Sequence, residues 1–246
     1  MSYHSPMILG KKILIVIPAR GGSKGIPRKN LQILSGKSLL ERVCNLAKSI
    51  EGVDQIICST EDEEIANAAL GFGVGVPFLR PKSLASDDAK TADVLLHALS
   101  KLEELGEIFD YLILLEPTSP LTMPIDVEKG LIELITQDSL FDSLITVCKS
   151  EASHPIFTFY KDRENKKVTP YLPGPWTVVR RQDIPELFFI EGSFYISKVS
   201  TFKIFELFVQ PRTIGFEVPK WQSIEIDDEI DLVIAEAIVN YQEKGV

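Results

Sequence analysis

The sequence predicts an α/β fold of three layers, in which helices cover both faces of a mainly parallel, Rossmann-like sheet. Two continuous apolar runs, Ile13–Ile17 and Tyr111–Leu115, are short and aliphatic, which is typical of strands buried on both faces. Segments with apolar residues at helical spacing alternate with these and further strand-like runs. The alternation predicts a parallel sheet whose ligands bind beyond the carboxyl ends of the strands.

The elements are assigned in chain order from these two periodicities. The predicted strands after Ile13–Ile17 are Gln55–Cys58, Val76–Leu79, Tyr111–Leu115, Leu144–Val147, Phe188–Ile196 and Thr213–Val218. The predicted helices are Ser38–Ile50, Glu61–Leu70, Thr91–Leu105, Asp126–Thr136 and a last helix from Asp228 to Tyr241. The helix at Thr91–Leu105 is the clearest, because its leucines, valine and alanine form one apolar stripe.

One stretch interrupts the pattern. From about residue 151 to residue 185 the prolines cluster and the periodicity is lost. We interpret 151–185 as a dimerisation insertion, an arm that leaves the sheet and contacts another subunit. It would belong to a single domain of residues 11–246, which follows an N-terminal tail of residues 1–10.

The composition argues against several functional classes. The chain has 246 residues and a net charge of -9, which disfavours non-specific binding to nucleic acid or to an anionic membrane surface. Cys44, Cys58 and Cys148 are far apart in apolar runs, so we expect buried thiols in a reducing compartment rather than a zinc site or disulfides. The N-terminus shows no signal-peptide pattern, and we therefore expect a cytoplasmic protein.

The first candidate site is the loop Pro18–Asn30, which directly follows the first predicted strand. Its three glycines allow close backbone approach, and the N–H groups of such a loop can bind an anion. Arg20, Lys24 and Lys29 add positive charge, and arginine suits phosphate well. The loop therefore predicts a polyphosphate ligand. It matches neither a Walker A loop nor the GxGxxG pattern, which argues against kinase and dehydrogenase functions.

This loop resembles the signature of the acylneuraminate cytidylyltransferase family, the CMP-sialate synthetases and their relatives. Four further segments resemble the family in the same order. They are LRPKSLASD at Leu79–Asp87, LEPTSPL at Leu115–Leu121, Arg180–Asp183 with Gly192–Ile196, and the stretch from Ser223 to Glu236. With the first strand, the matches span residues 13 to 236, nearly the whole chain.

The resemblance implies a nucleotidyltransferase fold, a homodimer, and a reaction in which CTP and a nonulosonic acid give a CMP-sugar and pyrophosphate. It implies nucleotide contacts at Ala19, Arg20, Gly21, Ser23, Lys24, Lys29, Asn30, Arg80 and Ser86. It also makes Arg20, Lys24, Lys29 and Asp227 the candidate catalytic residues. For Arg80 and Ser86 the alternative is an ordinary surface loop.

Glu225 and Asp227 are the candidate metal ligands. They are two residues apart at the end of a predicted strand, so both side chains are expected on one face. Two such carboxylates suit Mg²⁺, which prefers oxygen ligands and keeps waters and phosphates in its shell. The alternative is an acidic N-terminus for the last helix, which the helix dipole favours. The resemblance falls on Glu225 and Asp227 and favours the Mg²⁺ site.

The resemblance places the sugar beside Glu116, Arg181 and Tyr195. An arginine suits the carboxylate of the sugar acid, whereas Tyr195 has core packing as its alternative. Glu116 and Glu191 stand where the family usually has neutral amides. Because an ionised carboxylate accepts hydrogen bonds but donates none, we expect a sugar with additional N–H donors, such as a legionaminic-type diacetamido acid, in preference to N-acetylneuraminate.

Two alternative functions remain open on the sequence. One is a nucleotidyltransferase that acts on another sugar, such as Kdo or a sugar 1-phosphate. The other is a non-catalytic regulator that binds nucleotides, against which the intact Arg20, Lys24, Lys29 and Asp227 argue.

Overall fold

A computed structural model describes residues 8–23, 25–174, 177 and 180–243. In this part of the chain the strands are β1 (Ile13–Pro18), β2 (Ile33–Leu34), β3 (Lys37–Ser38), β4 (Gln55–Ser59), β5 (Tyr111–Leu114), β6 (Ser143–Lys149), β7 (Phe159–Lys161), β8 (Val168–Pro170), β9 (Phe188–Lys198) and β10 (Thr213–Glu217). The α-helices are α1 (Leu39–Ser49), α2 (Glu63–Gly71), α3 (Thr91–Glu104), α4 (Pro124–Thr136), α5 (Val199–Phe205) and α6 (Glu229–Glu243).

Six of these strands form one sheet in the order β10-β6-β9-β5-β1-β4. β1 is parallel to β4 and β5, and β10 is parallel to β6, whereas β9 is antiparallel to both of its neighbours. The prediction of a mainly parallel sheet is therefore confirmed. The direction of β9 has a simple cause. A parallel strand needs a crossover to the opposite edge of the sheet, and the described residues between β6 and β9 contain no α-helix that provides one.

The three layers follow from the alternation of side chains along the strands. Ile13, Ile15 and Ile17 of β1 point to one face, where α1, α2 and α4 pack. Leu14 and Val16 point to the other face, where α3 and α5 pack. All five side chains are fully buried, as the continuous apolar run of β1 predicts.

A third, smaller apolar cluster lies at the carboxyl edge of the sheet. Its buried members are Ile26, Leu34, Leu39, Leu121, Ile226, Ala235 and Val239. Ile226 also donates its backbone N–H to the carbonyl oxygen of Thr118, 2.8 Å away. The cluster thereby connects the glycine-rich loop, the segment after β5 and the start of α6. These are three of the five segments that carry the family resemblance.

The prediction of a strand at Val76–Leu79 is wrong. Gly75 forms one isolated bridge with Ile57, and the chain then leaves the edge of the sheet. Pro77 follows two residues later and has no N–H to donate to a ladder. The short helix α5 and the two-stranded pair of β2 with β3 were not predicted, because elements of this length show no clear periodicity.

The segment 151–185 carries the antiparallel hairpin of β7 and β8, which is separate from the main sheet. Tyr160, Val168 and Tyr171 are exposed on it. Buried His154 holds the base of this arm: its Nδ1 accepts the Ile156 N–H at 3.1 Å, and its Nε2 lies 3.2 Å from the Pro185 carbonyl oxygen.

The N-terminal tail is described only from Ile8 onwards. Residues 1–7 lie outside the described residues, and Ile8–Gly10 form a 3-10 turn. Ile8 packs against the main core. In the described ranges, no helix has both the length and the apolar character needed to cross a bilayer.

Candidate active site

A cleft of about 250 Å³ opens at the carboxyl ends of β1, β4 and β5, where ligands of parallel α/β sheets usually bind. It is lined by seven of the predicted site residues, namely Arg20, Ser23, Lys29, Asn30, Arg80, Ser86 and Glu116. Thr91 and Thr118 also line it. Lys24 lies outside the described residues. Ala19 is fully buried and packs in the core, so its side chain does not reach the cleft.

The glycine-rich loop is held in shape by its own polar side chains. Asn30 is buried and donates a hydrogen bond from Nδ2 to the carbonyl oxygen of Arg20 at 2.9 Å. Arg28 adopts a left-handed conformation with φ of 54° and pairs with Asp62 at 2.6 Å and with Glu64. The hydrogen bond from Arg28 holds the pKa of Asp62 below its usual range. Arg28 therefore anchors the loop to the start of α2.

Glu61 is a site residue that the sequence analysis missed. Its carboxylate accepts the N–H of Gly21 at 2.8 Å and two hydrogen bonds from the guanidinium of Arg80, at 3.0 and 3.2 Å. Arg80 is 5% exposed, so its charge is buried and paired. Arg80 thus lines the cleft while its guanidinium positions Glu61 and, through it, the loop. The sequence feature that could have identified Glu61 is its position just after β4, because β4 lies beside β1 and the loop follows β1.

Arg20 and Lys29 have different environments in the cleft. Arg20 pairs with Asp87 at 2.9 Å, and both side chains are about one-third exposed. Lys29 donates hydrogen bonds from Nζ to the carbonyl oxygen of Ile226 at 2.8 Å and to Asp227 at 3.1 Å. Since an exposed pair contributes little and exchanges readily, the guanidinium of Arg20 is available to an anion. Lys29 instead connects the loop to the acidic segment.

The acidic segment is not the strand end that the sequence predicted. Residues 224–226 are irregular, and the first regular element after them is α6. The side chains nevertheless alternate as predicted: Ile226 is fully buried, while Glu225 and Asp227 on either side of it are exposed residues. The alternation comes from the burial of Ile226 in the third cluster rather than from a sheet ladder.

Glu225 and Asp227 form an acidic pair beside the cleft, where each contacts a residue that lines it, Thr118 and Lys29 respectively. The carboxyl group of Glu225 lies beside Gly192 and 3.4 Å from the hydroxyl group of Thr118. This packing raises the pKa of Glu225, and the negative charge of Asp227 raises it further, against the opposing effect of Lys29.

The acidic pair fits the chemistry of Mg²⁺. The negative charge of Asp227 disfavours the ionised form of Glu225, and a divalent cation would relieve this repulsion. The described residues contain no group of three or more protein side chains arranged as a metal cage. Mg²⁺ does not require one, because it is commonly bound by one or two carboxylates together with substrate phosphates and water.

A second cavity of about 520 Å³ adjoins the cleft. It is a groove lined largely by apolar side chains, among them Leu114, Tyr195, Phe202, Phe205, Leu207 and Phe208. Thr91 and Glu116 line both cavities. The ring of Tyr195 packs against that of Phe208 with centroids 5.3 Å apart, so Tyr195 both belongs to the packed layer and faces the groove. Burial raises the pKa of its hydroxyl group.

Glu116 occupies the point where the two cavities meet. It is partly buried directly after β5. Burial and the negative charge of Glu225 raise the pKa of Glu116 to about 7, although Lys29 opposes the shift. The sequence analysis treated Glu116 as a hydrogen-bond acceptor for the sugar and did not anticipate a titration near neutral pH.

The comparison with known sequences decides the family. The model of the cytidylyltransferase family matches residues 14–197. The chain belongs to this family. It is 30% identical to the pseudaminic acid cytidylyltransferase of Campylobacter jejuni serotype O:2, over 94% of this chain and 98% of that protein. It is 38% identical to the CMP-N,N'-diacetyllegionaminic acid synthase of Legionella pneumophila, over 46% of this chain and 49% of that protein.

Two solved structures confirm the cytidylyltransferase fold. One is of CMP:2-keto-3-deoxy-manno-octonic acid synthetase complexed with CTP, with a TM-score of 0.69 and 20% identity over 94% of this chain and 99% of that chain. Another is of the 4-diphosphocytidyl-2C-methyl-D-erythritol synthase of Anaerococcus prevotii, with a TM-score of 0.61 and 15% identity over 94% and 99% of the two chains. The predicted nucleotidyltransferase fold is thereby confirmed.

Glu191, one of the unusual residues of this cytidylyltransferase, lines neither of the two cavities. It is 5% exposed, and its Oε2 accepts the N–H and the hydroxyl group of Ser193 at 3.1 and 2.8 Å. The argument from the N–H donors of the sugar therefore depends on Glu116, which does line both cavities. β9 is irregular here, and hydroxyl groups of Ser119, Thr122 and Thr146 donate to its carbonyl oxygens. Glu191 belongs to this local support of the strand.

Arg181, the predicted partner of the sugar carboxylate, lies in a 3-10 turn at Arg181–Asp183. Its side chain lies outside the described residues. Its predicted role therefore rests on the family resemblance.

Gly25 allows the glycine-rich loop to reach the acidic segment. A β-carbon built on Gly25 would overlap the backbone carbonyl oxygen of Asp227, whereas one built on Gly22 would meet nothing within 4 Å. We expect Gly25→Ala to lower the free energy of unfolding by about 1–3 kcal/mol, as overpacking usually does, and Gly22→Ala to leave it nearly unchanged. Urea denaturation of the two variants tests this. Equal midpoints would show that the loop does not pack on the acidic segment.

Proposed function

We propose that this cytidylyltransferase transfers CMP from CTP to a nonulosonic acid and releases pyrophosphate. The observation that carries the proposal is the junction of two cavities at Glu116, one lined by basic and amide side chains and the other by aromatic ones. The first suits a nucleoside triphosphate and the second a sugar with apolar substituents. Similarity to enzymes named for pseudaminic and diacetyllegionaminic acids supports this class of sugar.

In this reaction the anomeric hydroxyl group of the sugar attacks the α-phosphorus in line, and pyrophosphate leaves with the electron pair of the broken P–O bond. Arg20, Lys24 and Lys29 stabilise the charge that develops on the phosphoryl oxygens. The N–H of Gly21 is held toward Glu61, and Asn30 fixes the backbone at Arg20. Positioning and electrostatic stabilisation would contribute most of the rate enhancement, as in phosphoryl transfer generally.

The proposed cofactor is Mg²⁺, held by Glu225 and Asp227. When bound, the ion would neutralise negative charge on the triphosphate. Lys29, which already donates to Asp227 at 3.1 Å, would orient that carboxylate. Thr118 would do the same for Glu225.

The proposed assembly is a homodimer joined through the arm at 151–185. Support comes from the exposed apolar side chains of Tyr160, Val168 and Tyr171 on the arm, which a second copy would cover. The proposed location is the cytoplasm. Cys44 and Cys58 are buried free thiols whose pKa burial raises to about 12, as expected for inert thiols in a reducing compartment. We propose neither nucleic acid nor membrane as a partner.

Pyrophosphate release from CTP tests the function directly. We expect release only when Mg²⁺ and a nonulosonic acid are both present. Among pseudaminic, N,N'-diacetyllegionaminic and N-acetylneuraminic acids, we expect kcat/KM to favour the two diacetamido sugars by about tenfold. The reason is that the second amide N–H can satisfy Glu116, whose burial without a donor costs about 1–3 kcal/mol.

Reactions without sugar, with Kdo, and with ATP or UTP in place of CTP serve as controls. Turnover with Kdo alone would contradict the choice of sugar class while leaving the cytidylyltransferase chemistry in place. Binding of CTP without pyrophosphate release from any of these sugars would instead favour a non-catalytic, nucleotide-binding role. A preference for N-acetylneuraminic acid would contradict only the argument from Glu116.

A further inference from the structure

Glu116 lies where the two substrates of the proposed reaction would meet. It follows β5, and β5 lies between β9 and β1 in the middle of the sheet. Its side chain lines both the basic cleft and the aromatic groove. A hydroxyl group of a sugar in the groove must pass this junction to reach a phosphorus atom in the cleft. Glu116 is therefore within the region where the new bond forms.

The carboxyl group of Glu116 is also available as an acceptor. Among the described residues, none donates a hydrogen bond to it, although it is partly buried. By contrast, Glu61 accepts from Arg80, Asp62 from Arg28 and Asp227 from Lys29. These three carboxyl groups are thus engaged in holding the loops together. In the part of the chain that the structure describes, Glu116 has no such cationic partner.

We propose that Glu116 is the general base of the nucleotidyl transfer, an inference that rests on the proposed function. As the sugar oxygen forms its bond to the α-phosphorus, the hydroxyl proton moves to one carboxylate oxygen of Glu116. The bond between the α-phosphorus and the bridging oxygen breaks, and pyrophosphate takes that electron pair. Glu116 then returns the proton to solvent. The second carboxylate oxygen stays free to accept an N–H of the sugar.

The surroundings of Glu116 suit this role. Burial is the main cause that raises its pKa; among the charged groups around it, Glu225 and Asp227 raise the pKa further and Lys29 lowers it. The hydroxyl group of Tyr195 is also close to it. Burial holds the pKa of Glu116 above the usual range of a carboxyl group, which makes it a stronger proton acceptor than an exposed carboxylate. The family usually has glutamine at this position, and an amide cannot take up the proton. The inference therefore concerns this chain and not the family.

The pH dependence of turnover in both directions tests the inference. Wild-type protein with Mg²⁺ and saturating CTP and pseudaminic or N,N'-diacetyllegionaminic acid should lose kcat as the pH is lowered, because the base becomes protonated. Pyrophosphorolysis of the CMP-sugar product should show the mirror image, since the protonated group then acts as the acid. In Glu116→Gln we expect kcat at pH 8 to fall about a hundredfold. The pH dependence of kcat should also disappear in both the forward and the reverse reaction.

Two further variants make the result decisive. Glu116→Asp keeps an ionisable group and should retain partial activity with a loss of kcat at low pH. Glu103 is an exposed carboxyl group that pairs with Lys203, so Glu103→Gln should behave like wild type. If kcat of Glu116→Gln still falls at low pH as in the wild type, the inference is overturned. So would a higher KM for the sugar with unchanged kcat, which would make Glu116 only a binding residue. Absence of turnover by the wild-type protein would overturn the proposed function itself, and with it this inference.

Discussion

Replacement of Asp227 by alanine should lower kcat by at least about a thousandfold while the protein stays folded. Charge stabilisation by a catalytic metal ion is worth several kcal/mol, and each 1.4 kcal/mol corresponds to about a factor of ten in rate. The side chain of Asp227 is 77% exposed, and its pair with Lys29 is at the surface, so its loss should cost the fold less than about 1 kcal/mol. Steady-state kinetics over a range of Mg²⁺ concentrations, together with thermal unfolding, measure the two effects.

Asp228 provides the matched control for this variant. It is the next residue along the chain and is also exposed, but its carboxylate accepts the N–H groups of Ile230 and Asp231 at 2.8 and 3.1 Å and so caps α6. Asp228→Ala should therefore cost about 1 kcal/mol of stability and leave kcat within a few-fold of wild type. The two variants remove the same charge with opposite consequences. Wild-type kcat for Asp227→Ala at saturating Mg²⁺ would eliminate Asp227 as a metal ligand.

The centre of the main sheet was predictable because β1 and β5 are buried on both faces. A strand such as β1 must then be apolar at every position, which makes it visible in the sequence without any partner. The direction of β9 was not predictable in this way. The sequence pattern of β9 predicts a strand but not its direction. Because the arm leaves the carboxyl end of β6 and β9 follows the arm, β9 starts at that edge and runs antiparallel to its neighbours.

The candidate site was predictable where its residues are close in sequence or carried by a motif. Arg20, Lys29 and Asn30 are in one loop, and the structure brings them to one cleft with Arg80. Glu61 was missed because its contacts with Gly21 and Arg80 arise only when β4 lies beside β1.

Glu191 shows a different limit of the sequence. It was included in the argument about the sugar because of its charge, whereas the hydrogen bonds that its Oε2 accepts from Ser193 are local. Hydrogen bonds to a residue only two positions away leave no long-range signal in the sequence. The direction of such a side chain is decided by packing, which in this case comes from the hydroxyl groups around the irregular part of β9.

Loss of the basic side chains of the glycine-rich loop should produce the second large effect. We expect Arg20→Ala or Lys24→Ala to lower kcat/KM for CTP about a hundredfold, because each removes a charge-assisted contact to a phosphoryl group whose negative charge grows in the transition state. Lys101→Ala removes an equal charge from an exposed pair on α3 and should change kcat/KM less than twofold. Arg20→Lys should recover only part of the loss, since lysine keeps the charge but lacks the planar guanidinium that contacts two phosphate oxygens in a fixed geometry.

The effect should appear in the kinetics of CTP rather than in those of the sugar. The pair of Arg20 with Asp87 at 2.9 Å is exposed, so the guanidinium can exchange that carboxylate for a phosphate at little cost, and its truncation should not disturb the groove. An unchanged KM for the sugar in Arg20→Ala would therefore accompany the loss in kcat/KM for CTP. If CTP kinetics barely change in both Arg20→Ala and Lys24→Ala, the loop does not bind the triphosphate, and the cleft must serve a different ligand.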